Sequence, residues 1–268
     1  MVLPLLFGVL AAGFAYYQWN ALRKRREELV AFAFASGWDY SPADDSLVWR
    51  WPGPPFDVGE DKHARYVITG AYQGRSLTSF ELTRKVRSGN NNQKRTEVFG
   101  VCVLAMPGPL PSLAVSPESV LERAADVVGA TSDIDLESED FNRRFRVRSP
   151  SSKFASDVLS PRTMQALLAR PAFSWRIVGS DLVAWMPGAF RPVDLIARLD
   201  GMNVVIEGIP DFVWRDNGVP PPGPPASAPT FAPPSPAPSP APSPAPAAGP
   251  TGPRPSMQKL PPWEDKPL

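Results

Sequence analysis

The stretch Ala64–Leu104, ARYVITGAYQGRSLTSFELTRKVRSGNNNQKRTEVFGVCVL, decides the fold. Within it, Ala64–Gln73, Ser76–Val86 and Thr96–Leu104 are rich in β-branched and aromatic residues and read as strands. Gln73 and Gly74 join the first two, and the polar run SGNNNQ at Ser88–Gln93 joins the second to the third. Connections this short leave no room for a crossover helix, so the strands are expected to run antiparallel. A further strand is expected just upstream, at Leu47–Trp51. Tyr66, Ile68, Leu77, Ser79, Phe80 and Glu81 do not alternate cleanly between apolar and polar, so the pattern assigns no faces.

Downstream, the turn-rich MPGPLPSL at Met106–Leu113 is expected to end the sheet. Helical spacing returns at Glu118–Val128, with Ser116 as N-cap and Pro117 in the first turn, and again at Pro161–Ala169 behind Ser160. Phe173–Val178 and Leu182–Met186 read as a hairpin turning at Gly179 and Ser180. A last helix, Val193–Ile209, carries Gly201 and Gly208, each costing about 1 kcal/mol against alanine. The expected class is therefore α+β, an antiparallel sheet with packed helices.

Upstream, Val2–Trp19 reads VLPLLFGVLAAGFAYYQW, without a charge. Twenty helical residues span about 30 Å, so a helix over residues 1–22 is long enough to cross a bilayer core. Tyr16, Tyr17 and Trp19 sit at one end, where amphipathic rings favour the headgroup layer. Arg23, Lys24, Arg25 and Arg26 follow, placing the basic flank on the C-terminal side and favouring a cytoplasmic domain with the N-terminus outside. A cleaved signal peptide carries its basic residues before the apolar run, the reverse of this order. The helix is expected to continue through Glu27 and Glu28, with Leu29, Val30, Phe32, Ala33 and Phe34 apolar, and to stop at Gly37. The layout is a transmembrane anchor at 1–22, a juxtamembrane basic helix at 23–37, an α+β domain at 38–215 and a proline-rich tail at 216–268.

Composition closes several chemistries. Lys plus Arg, 28, nearly cancels Asp plus Glu, 27, so no global field draws the chain onto nucleic acid. One cysteine, Cys102, excludes an intrachain disulfide and any CxxC site, and its apolar neighbours FGVCVLAM make it a buried thiol. One histidine, His63, stands in the polar run GEDKH and reads as a surface residue. Nucleotide-binding, zinc-peptidase and esterase motifs are missing, and no cofactor is expected.

Two charged runs are candidates for binding. Asp133, Asp135, Glu137, Glu139 and Asp140 begin like a calcium loop, but Ser138 and Arg144 stand where that loop needs glycine and glutamate. Arg144, Arg146 and Arg148 alternate with Phe145 and Val147, so a strand would line three guanidinium groups along one face. Such a row suits phosphate or a lipid headgroup; pairing with the acidic run is the alternative.

Four stretches together resemble a family of uncharacterised single-pass membrane proteins of actinobacteria. They are ASGWDYSPADDSLVWRW at Ala35–Trp51, GPPFDVG at Gly53–Gly59, LESEDFNRRFRV at Leu136–Val147 and SDVLSPRTMQALL at Ser156–Leu168. The resemblance implies an N-terminal apolar segment with a basic flank and a domain of this length. It carries no activity and no catalytic residue.

Twenty of the 35 prolines follow Val219, in a tail that includes APSPAPSPAPAAGP at Ala237–Pro250. With few large apolar side chains the tail is expected to be disordered, biased to polyproline II. It closes on LPPWEDKPL, where Trp263 suits a docking motif for a protein partner as well as a plain spacer. The expected function is a membrane-anchored binding or scaffold protein whose partners are the bilayer and a protein reached by the tail. The alternatives are an enzyme using carboxylates and arginines such as Asp140 and Arg144, and a sensor of anionic lipid using Arg144, Arg146 and Arg148.

Overall fold

The computed structural model describes residues 2–88, 93–118, 133–189 and 191–222, without the side chains of 2–15, 18 and 88. The helix expected at Glu118–Val128 falls largely outside them, as does Trp263. The chain divides into two units, Met1–Ala228 and Pro229–Leu268. The first unit is described below.

One helix, α1, runs from Val2 to Ala35 without a break. Its end follows the expected logic: Gly37 takes φ +69°, and the Trp38 N–H donates to the Ala33 carbonyl at 2.8 Å. Among the described residues, no helix is long and apolar enough to cross a membrane. Of the expected apolar face only Leu29 and Ala33 are buried, while Val30 and Phe34 are exposed.

The sheet has six strands, β1 (Asp39–Ala43), β2 (Glu60–Tyr72), β3 (Arg75–Ser88), β4 (Gln93–Pro117), β5 (Phe145–Arg148) and β6 (Ser174–Pro187), and every pair is antiparallel. Gln73 at φ +49° and Gly74 at φ +77° make the tight β2–β3 turn, the two left-handed residues that a twisted hairpin requires. β4 is the spine, paired on one edge with β3 and then β5, and on the other with β6. Around it lie α2 (Glu139–Arg144), α3 (Ser152–Val158), α4 (Pro161–Leu168), α5 (Pro192–Gly208) and α6 (Asp211–Asp216). Ser160 caps α4 as expected, accepting from the Thr163 N–H at 3.3 Å.

Four expectations are corrected. Leu47–Trp51 is not a strand: Asp45–Trp49 forms a 3-10 helix, because the Asp44 carboxylate caps the Ser46 N–H at 3.1 Å. MPGPLPSL does not end the sheet, since β4 runs through it with Met106, Gly108 and Leu110 inward and Pro107 and Pro109 outward. Pairing with β3 stops at Leu104 and pairing with β5 starts at Ala114, so one edge of 105–113 has no strand partner among the described residues, where proline's missing N–H costs no ladder bond. Ser116 and Pro117 lie in this strand, opposite Arg146 and Phe145, rather than in a helical turn. Gly179 and Ser180 do not turn a hairpin either: β6 stays one strand, and β4 bulges against it between Ala105 and Leu110.

Both faces of the sheet are covered. One core joins α1 (Leu29, Ala33) and α5 (Leu195, Leu199, Met202) to Leu77, Cys102 and Leu104. The other lies under the segment 47–56, where Trp51 and Phe56 pack on Phe80, with Trp51 stacked on it at 6.1 Å. Burial on both sides removes the polar and apolar alternation of a half-solvated sheet.

Candidate functional site

The four basic residues after the apolar segment point in different directions. Arg23 pairs with Glu27 at 2.8 Å on the exposed side of α1 and lies over the Trp19 ring at 5.7 Å. Arg25 turns to the sheet, forms an ion pair with the buried Glu81 of β3 and lies 5.1 Å from the centroid of Tyr66. Arg26 is exposed beside a groove. Lys24 is exposed as well.

That groove, about 890 Å³, lies between α1 and β2 and is lined by Trp19, Leu22, Arg26, Val30, Phe34 and Tyr66, with Arg23, Glu27 and Ala31 completing it. Tyr66 reaches it because the β2–β3 register slips between Arg65 and Ile68, with Tyr66 itself at φ +53°. A bulge of this kind re-aims a side chain and stores strain, and such residues gather at binding sites. The apolar run at the start of the chain pointed to this region; nothing in the sequence pointed to Tyr66.

Two members of the arginine row share a strand face: Arg146 and Arg148 alternate with the buried Phe145 and Val147 along β5. Arg144 ends α2 rather than opening the strand, and its guanidinium donates to the Leu168 and Arg170 carbonyls at 2.6 and 2.8 Å. Arg146 meets Glu118 at 2.6 Å, and Arg148 meets Asp133 at 2.9 Å. Asp140 pairs with Arg143 in the same exposed turn, so Asp140 and Arg144 do not converge on a site. Each of these arginines thus has a partner on the protein, and Arg148 finds its partner in the acidic run. Among the described residues no cluster of His, Cys, Asp or Glu could hold a metal ion.

His63 lies on the surface between two carboxylates, Asp45 at 2.8 Å and Asp61 at 3.1 Å. Hydrogen bonds to Asp45 and then Asp61 raise its pKa above the ordinary 6.5. Cys102 is fully buried, with the Arg198 guanidinium 3.7 Å from its sulfur. Arg176 of β6 is packed beneath Gly53, where a Cβ would stand 2.2 Å from its Nη1; burial pushes its pKa down to about 10. A second cavity of about 490 Å³ lies by α4 and α5, where Arg75 and Arg162 face Glu207 and Asp211.

No protein-family model and no curated protein sequence matches the chain. Among solved structures, the crystal structure of the mycobacterial trehalose monomycolate transport factor A, TtfA, is similar, with a TM-score of 0.55 over 70% of this chain and 97% of that one. At 14% identity, the likeness is one of fold.

Proposed function

We propose that the protein is a membrane-tethered binding or scaffold module, held by residues 1–22 with its α+β domain and tail on the cytoplasmic side. The observation that carries this reading is the arrangement along one helix. Tyr16, Tyr17 and Trp19 are 67%, 70% and 57% exposed, and four basic residues follow from Arg23 to Arg26. Within three further residues Leu29 is buried in the core. Exposed aromatic rings beside a basic collar suit a headgroup layer. The resemblance to actinobacterial single-pass membrane proteins points the same way.

The test is membrane fractionation of the full chain with alkaline carbonate, paired with a C-terminal topology reporter. Carbonate-resistant membrane association and a cytoplasmic reporter are expected. Extraction by carbonate, or an external reporter, would overturn the tether or its orientation respectively.

A narrower second reading is service to a transport system, because the similar solved structure is that of a transport factor. Crosslinking in intact membranes followed by identification of captured proteins tests it; a partner set without transport proteins would remove it. The tail motif at Trp263 is tested in the same experiment, where a Trp263→Ala chain with an unchanged partner set would remove docking.

A further inference from the structure

The groove beside α1 is unused by the tether itself. Trp19, Leu22, Arg26, Val30 and Phe34 follow at steps of three and four residues and so form one stripe down the helix. A helix stripe of this kind ordinarily faces a core, yet Phe34 is 86% exposed and Leu22 54%. Across from it stands Tyr66, its backbone bulged and left-handed, with Arg25 against its ring and Glu81 holding Arg25. The far wall is thus fixed in advance, which lowers the ordering cost of binding. Midway along, the lining carries two cations, Arg23 and Arg26, against one carboxylate, Glu27.

We propose that this groove binds a membrane phospholipid, its anionic headgroup at Arg23 and Arg26 and one acyl chain along Val30, Phe34 and Tyr66. The proposal rests on the membrane-tethered reading, which sets the Trp19 end of the stripe at the headgroup layer, so the acyl chain in the groove is one drawn out of the bilayer. Guanidinium groups take phosphate oxygens through paired, charge-assisted hydrogen bonds. Arg23 would exchange for these an exposed contact with Glu27, a pair of small net value, and its place over the Trp19 ring. From Arg26 to Phe34 the helix rises about 12 Å, a length that an extended acyl chain can follow. The volume, about 890 Å³, is that of a small-molecule site, apolar with a few convergent polar groups. A second copy of the chain fits less well: two helices rising from one membrane run parallel and would set Arg26 against Arg26.

The experiment reconstitutes the full chain in phosphatidylcholine vesicles containing phosphatidylglycerol with a photoactivatable acyl chain, and maps crosslinks by mass spectrometry. Crosslinks at Phe34 and Tyr66 are expected. They should fall about tenfold in an Arg23→Gln/Arg26→Gln chain, the loss of roughly one charged hydrogen bond. A comparable fall is expected in Phe34→Asp, whose exposed position leaves the fold intact by circular dichroism. Inorganic phosphate should not compete.

Crosslinks confined to residues before Arg23, spread equally onto the exposed Val193 and Phe212, unchanged in the folded variants, or displaced by inorganic phosphate would overturn the site. Should the double variant fail to fold, Phe34→Asp decides alone. Carbonate extraction reads the tether separately, so a chain that stays in the membrane but shows no groove crosslink removes this proposal and leaves the tether standing.

Discussion

Arg25 of α1 and Glu81 of β3 form an ion pair whose carboxylate is only 4% exposed, while the guanidinium is 29% exposed. It joins the helix to the sheet at a point 56 residues apart in sequence. Removing one partner leaves a buried charge alone, at a cost of about 3–5 kcal/mol. Glu81→Leu and Arg25→Met should each lower the unfolding free energy by an amount of that order, less for Glu81→Leu because the guanidinium it strands is partly solvated. The double substitution should recover part of the loss. A double-mutant cycle by denaturant unfolding measures it, and additive losses would show that the pair is not coupled.

The single histidine makes a clean pH experiment. Hydrogen bonds to Asp45 and Asp61 raise the folded pKa of His63 above 6.5, so its contribution is fully present below the unfolded pKa and is lost as pH rises through the folded one. Asp45 and Asp61 are lowered below 3.8, by hydrogen bonds to His63 and to Lys85 respectively, so their share is lost on acidification. The denaturation midpoint should therefore fall as the pH rises past 6.5 in the wild type, and this fall should flatten in His63→Gln. Equal slopes in the two proteins would show that the cluster contributes nothing.

Gly201 tests packing against propensity. In an isolated helix Gly201→Ala would gain about 1 kcal/mol. In the folded chain a Cβ there would stand 2.7 Å from the Phe173 ring, closer than contact allows. The substitution should thus destabilise, by about 1–3 kcal/mol, as overpacking does. A raised melting temperature would mean that the Phe173 ring moves aside freely.

Cys102 should be inert. It is buried in the core between β3 and α5, so a thiol reagent should label it only on unfolding, at a rate that follows global opening. Fast labelling of the native chain would reveal an opening beside β4.

The central sheet was legible because short polar turns fix antiparallel pairing whatever the side chains do. Its faces were not, for two physical reasons. Ser79 and Glu81 are buried on one face while Phe80 and Leu82 are buried on the other, so polarity carries no phase. The slip at Arg65–Ile68 then shifts the alternation within β2, since Ala64 and Val67 share a face although three residues apart. Helix α4 could be read from Ser160 and Pro161, whose chemistry is local. The strand through Met106–Leu113 could not, because prolines are tolerated there only by an unpaired edge that forms long after the local sequence has been read. The site shows the same division: the exposed aromatic and basic residues of α1 announce themselves, whereas Tyr66 enters through a register slip that composition does not record.

Helix α1 has no joint. From Val2 to Ala35 it is one element, some 50 Å at the usual rise, and its last turns are clamped by Leu29, Ala33 and the Arg25–Glu81 pair. The sheet is therefore mounted on it as a flag on a mast rather than a float on a line. Whatever grips the first turns also sets the heading of β2 and the mouth of the groove, and a partner pulling on the domain exerts a torque at the far end.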